Sequence, residues 1–163
     1  MDDRQFWKLI DCAKDGAAPP AAWRRTLQTK LSLLSTDEIY NFISTYRYKE
    51  GGVNCIGAQC AFLLICDGMY SGDAFGWFLD AVVMLGELDY FKICGNFDLV
   101  IEHPHLMEFQ DYNFLGTAYH VLRERGQHMP LPIIFNNLSC CLTLAQVKQC
   151  CPALYQLKAP FID

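Results

Sequence analysis

The sequence predicts an all-α fold, one compact domain of about seven or eight helices, and three observations carry that prediction. Apolar residues recur at spacings of three, four and seven along most of the chain. Ser, Asp, Gly and Pro stand where helices must begin and end. Few runs alternate apolar with polar over the length of a strand. A makeup of 52% apolar and 19% charged residues suits a packed core rather than a disordered chain.

Asp2 or Asp3 caps a first helix whose apolar positions are Phe6, Trp7, Leu9, Ile10 and Ala13. Gly16 and Pro19-Pro20 end it, because proline lacks an amide donor and its ring collides with the preceding turn. A second helix follows over about residues 21–33. Ser35-Thr36-Asp37-Glu38 is a capping box, and the helix it opens places Ile39, Phe42, Ile43 and Tyr46 on one face. Gly51-Gly52 reads as a loop. Residues 54–67 then form a helix apolar on nearly all sides, hence central, and Gly68 closes it. Ser71 caps a helix over 72–86, with Asp73 in its first turn. Short pieces cover 87–94 and 97–102, and a longer helix runs over 109–125. Ile133-Ile134-Phe135 reads as a short strand or an extended packing segment. A last helix, 144–151, stops at Pro152. With no internal repeat, residues 1–163 read as one domain, with 127–163 a C-terminal extension packed on the rest.

Nine cysteines in a chain with two early acids and no apolar leader point to reduced thiols and a cytoplasmic setting. Cys12, Cys60, Cys66 and Cys94 sit at helical positions among apolar residues, where a thiol behaves as a small hydrophobe. A metal centre is not expected: Cys55-x4-Cys60 and the doublets Cys140-Cys141 and Cys150-Cys151 lack zinc spacing, and His103-Pro104-His105 reads as a turn. Phosphate-loop, nucleophile-elbow and paired-histidine zinc motifs are missing, so no cofactor and no catalytic residue is assigned. His120, beside Tyr119 within a helix, reads as an ordinary histidine. No membrane span is expected, since Gly51–Cys66 is too short and is interrupted by Asn54, Gly57 and Gln59.

Charge is distributed unevenly. Residues 67–111 hold nine acids and one base, Lys92, a net −8 against −5 for the whole chain. Such a segment repels nucleic acid and anionic membrane and attracts basic protein. On the 72–86 helix, Phe75, Phe78, Leu79, Val82, Val83 and Leu85 fall on one face, with Asp73, Trp77, Asp80, Met84 and Glu87 opposite. Three readings of that second face stand open. Neighbouring helices cover it; or it docks a protein; or its carboxylates do chemistry, although acids seven apart lie about 10 Å apart along the axis.

Three motifs, taken together, resemble a mainly bacterial family, domain of unknown function 4240. They are Phe6-Trp7-x-Leu9-Ile10; Leu31-x-x-Leu34-Ser35-x-x-Glu38-Ile39-x-x-Phe42; and, after a helix ending at Gly68, Ser71-x-Asp73-x-Phe75-x-x-Phe78 closing at Gly86. The likeness covers about residues 5–125. It implies a cytoplasmic helical domain and carries over no catalytic residue. Where that family has a Gly-Gly-Cys-Ser-Asp-Asp type of turn this chain has Asp67-Gly68-Met69-Tyr70-Ser71-Gly72-Asp73, and Leu79 stands where a basic residue is common. The function expected first is therefore a non-enzymatic immunity or antitoxin-like protein that binds a basic, toxin-like partner through Asp73, Trp77, Asp80, Met84 and Glu87. The alternative is an enzyme or small-ligand binder with a pocket near Tyr70, Ser71 and Asp73.

Overall fold

In the first helix, α1 (Asp3–Ala13), the Asp2 carboxylate accepts from the Gln5 amide at 2.7 Å while the Gln5 side chain reaches back to the Asp2 amide. Two donors that the first turn would leave bare are thereby satisfied. The structure, a computed structural model, describes residues 1–14, 20–69, 71–107, 113–128 and 142–159; among these there is no strand. Phe6, Trp7, Ile10 and Ala13 form the buried stripe of α1, and Phe6 meets Phe42 and Tyr46 at ring separations of 5.4 and 5.9 Å. α2 (Pro20–Ser32) buries Trp23, Leu27 and Leu31, four residues apart each time.

Ser35 and Glu38 form the expected box at the start of α3 (Thr36–Val53). This helix does not stop before Gly51-Gly52 as the sequence suggested; it runs through both. Packing overrides glycine's weak helix propensity here. A Cβ on Gly52 would sit 2.8 Å from the Tyr90 hydroxyl, which donates to the Lys49 carbonyl at 2.9 Å. Glycine admits that tyrosine.

α4 (Ile56–Ile65) is buried on nearly every side and lies at the centre, against α5 (Gly72–Val83) and the C-terminal helices. Gly68, at φ +83°, donates to the Leu63 carbonyl at 2.8 Å and closes the helical turn as expected. α6 (Glu87–Gly95) begins after Gly86, which has φ +87° and ψ 170° and whose Cβ would run into the Asp11 carboxylate. That backbone region is open essentially to glycine alone. Gly86→Ala should therefore cost about 1–3 kcal/mol, read as a lower urea midpoint with an unchanged m-value.

A 3-10 helix (Phe97–Glu102), α7 (Pro104–Met107), α8 (Phe114–Glu124), α9 (Leu144–Cys150) and α10 (Pro152–Lys158) complete the described chain. Eleven helical elements thus replace the expected seven or eight. Pro104 and Pro152 explain part of the difference, for each starts a helix, the position where a missing amide costs nothing. At Pro152 the Asp98 carboxylate takes up the bare amides of Ala153 and Leu154, at 3.2 and 2.9 Å. α9 and α10 pack on α4 and the 3-10 helix, α1 on α2 and α3, and α8 on α2 and α3. The segment Ile133-Ile134-Phe135 lies outside the described residues. All seven described cysteines are free thiols, and no described helix is long and apolar enough to cross a membrane.

Candidate functional site

The described carboxylates of the acidic stretch divide between partnered and open positions. Asp67 pairs with Lys158 at 3.0 Å; Asp89 bonds Lys14 at 3.2 Å and Lys92 at 3.4 Å. Asp98 holds the start of α10, and Asp80 holds the start of α8. Asp73, Glu87 and Glu102 remain exposed; Glu108 and Asp111 lie outside the described residues. Four of the seven described acids of that stretch thus serve as helix anchors or ion-pair partners.

The outward face expected at Asp73, Trp77, Asp80, Met84 and Glu87 is likewise corrected. Met84 is 0% and Asp80 3% exposed, because α3, α4, α6, α7 and α8 all pack on α5 and enclose it beyond one apolar stripe. Asp73 and Glu87 are exposed at opposite ends, and Trp77 is half-buried between them.

What α5 does face is a pocket of about 310 Å³ between α3, the first two turns of α5 and the start of α8. Arg47 and Glu50 come from α3, Asp73, Gly76, Trp77 and Asp80 from α5, and Asn113, Leu115 and Tyr119 from α8 and its cap. The alternative reading placed a site near Tyr70, Ser71 and Asp73. Asp73 does line the pocket; Ser71 instead caps α5, accepting from the Ala74 amide at 3.4 Å, and Tyr70 lies outside the described residues.

The polar groups of the pocket are built from the helix ends upward. Phe114 and Leu115 open α8 with bare amides; one Asp80 oxygen accepts from Phe114 and the other from Leu115 at 3.2 Å. Asn113 takes the next amide, that of Gly116, at 3.0 Å. The buried Tyr46 hydroxyl donates to the Asp80 carbonyl at 3.0 Å and ties α3 to α5. Glu50 has another kind of partner: Arg47 donates to it at 3.1 Å and, with Nε and Nη2, to the Tyr119 hydroxyl at 3.4 and 3.1 Å.

Both carboxyl groups resist ionisation. Burial raises Glu50 well above the ordinary carboxyl range, the neighbouring Asp80 charge adds to it, and Arg47 only partly offsets them. Burial raises Asp80 too, but Tyr46, the two α8 amides and Arg47 all favour its charged form. Two coupled carboxyls share charge unequally. Asp80, with the more hydrogen-bond donors, is the easier of the two to ionise, and Glu50 holds its proton the more tightly.

A larger groove, about 560 Å³, lies over α1, α2 and α3 and is lined by no buried ionisable group. His120 is outside this pocket, paired with Glu124 at 3.2 Å. Among the described residues no three of His, Cys, Asp and Glu come together so as to hold a metal ion.

Residues 1–121 match the family described as Protein of unknown function (DUF4240). The chain belongs to that family. The matched span includes α1 to α7, Asp80, the α3 pair Arg47 and Glu50, and the first part of α8 through Tyr119, so the whole pocket falls within the DUF4240 region. α9 and α10 lie beyond it. No curated protein and no solved structure matches the chain.

Sequence reasoning missed Arg47, Glu50 and Tyr119. A signal for Glu50 was present: it continues the buried stripe of Ile39, Phe42, Ile43 and Tyr46 by four residues. Reading Gly51-Gly52 as a loop placed Glu50 at a solvated helix end and hid it.

Proposed function

We propose that this DUF4240 protein binds a small molecule, that the α3–α5–α8 pocket is its ligand site, and that Glu50 donates a proton or hydrogen bond to the bound molecule. The observation that carries this reading is a pair of buried carboxyl groups and an arginine on one open pocket, where Asp80 anchors a helix and Glu50 does not. Strongly shifted carboxyls in a cleft are commoner at functional sites than elsewhere. Split carboxyl pairs, one neutral and one charged, are the arrangement that supplies a general acid at pH 7.

The pocket chemistry favours a small uncharged polar molecule, about the size of a monosaccharide or a single nucleobase. Its volume lies at the lower end of the range for ligand sites. Arg47 and the neutral Glu50 offer donors, Asp73 and Asp80 offer acceptors, and Trp77 supplies an indole wall. The sequence-based expectation of a basic protein partner has less behind it, because Asp80 and Met84 are interior and four of the seven described acids of the stretch already have partners.

A panel of monosaccharides and nucleosides, titrated into labelled protein, tests the proposal. At least one member should shift the amides of Gly72 and Gly76 and the Trp77 indole, and Glu50→Ala should weaken it about tenfold for one lost hydrogen bond. A panel that leaves those signals unmoved, or equal binding by Glu50→Ala, would count against it.

A further inference from the structure

We infer that the groove over α1, α2 and α3 is a second binding site, for an aliphatic carboxylate. Its walls are Met1 and Leu9 along α1 and Leu33 and Leu34 just past α2, and its volume of about 560 Å³ is that of a small-ligand site. Leu33 is 82% exposed, a large apolar side chain left in water at the groove edge. The residues of α1 concerned, Gln5, Lys8, Leu9 and Cys12, form a second helical stripe beside the core stripe of Phe6, Trp7, Ile10 and Ala13. Met1, Leu9 and Leu34 are half-buried against the core, with their outer faces on the groove.

Charge supplies the second half of the argument. Five of the seven lysines in this acidic protein have a partner: Lys14 and Lys92 on Asp89, Lys49 on Asp3, Lys158 on Asp67, and Lys148 over the Tyr155 ring. Lys8 and Lys30 have none among the described residues, and both line this groove. Glu38, also on its wall, is turned to Ser35, whose amide and hydroxyl donate to it at 2.7 Å each. With two ammonium groups against the one Glu38 carboxylate the apolar trough is net positive, which is complementary to a hydrocarbon chain ending in one negative charge. A neutral chain would leave the lysines as they are, and a compact anion would leave the trough in water.

Calorimetric titration of the full chain with decanoate, below its micellar concentration, tests this. Decanoate should bind at one saturable site, and decanol about tenfold more weakly, the value of two exposed charge contacts. Lys8→Ala with Lys30→Ala should remove that advantage and leave decanol binding unchanged. Leu33→Ser, at a solvated position, should weaken both, and bound decanoate should slow alkylation of Cys12. Equal binding of decanoate and decanol, or an unaffected double lysine variant, would overturn the assignment, as would binding seen only with anionic vesicles. Glu50→Ala should leave decanoate binding intact, which separates this site from the α3–α5–α8 pocket.

Discussion

Asp80→Ala is expected to lower stability by about 3–5 kcal/mol. The carboxylate is 3% exposed and is the acceptor for the first two amides of α8. Removing it leaves both donors without their acceptor, at roughly 1–3 kcal/mol each, and opens a cavity beside Tyr46. Asp80→Asn keeps one acceptor oxygen and the side-chain volume, so about half of the loss should return. Urea unfolding gives the totals, while amide exchange locates them: Phe114 and Leu115 should lose protection before the residues of α4 do. A loss below about 1 kcal/mol would mean that Asp80 is not the anchor of α8.

Glu50→Gln is expected to change the pH dependence of stability more than stability itself. Because the folded protein holds the Glu50 proton more tightly than the unfolded chain, the folded state binds more protons between the ordinary carboxyl value and the raised one. Stability is then greatest in acid near the ordinary carboxyl value and falls as pH rises through neutrality. Glutamine has no proton to lose, and without its neighbour's charge Asp80 ionises more readily. The wild-type melting temperature should thus drop between pH 5 and 8.5 while that of Glu50→Gln stays flatter, the two crossing so that the variant is the more stable at high pH. Each kcal/mol of difference corresponds to about 2–4 °C for a chain of this length. Parallel curves would show Glu50 to be ionised in the fold throughout.

The helical fold was legible in the sequence because its signals are local. Asp2, Ser35, Gly68 and Ser71 each do at their helix end what their chemistry predicts. Gly51-Gly52 misled because its reason is distant in sequence: a tyrosine on α6 needs the space. Asp80 and Met84 misled for a related cause, since helical periodicity distinguishes two faces, and α5 is covered beyond the apolar one. The acidic stretch looked like a surface because composition counts charges without their partners; Lys14, Lys158 and the starts of α8 and α10 come from other parts of the chain. The pocket itself joins Arg47 and Glu50 to residues some thirty and seventy positions later, a convergence that tertiary packing alone creates.

Carbon-detected NMR titration of the side-chain carboxyls in labelled protein addresses the site directly, with Glu50→Gln used to assign the signal. The Glu50 carboxyl carbon should stay at its protonated shift at neutral pH and move only well above the ordinary glutamate range. A midpoint at the ordinary value would leave the pocket without its proton donor and contradict the account given for it.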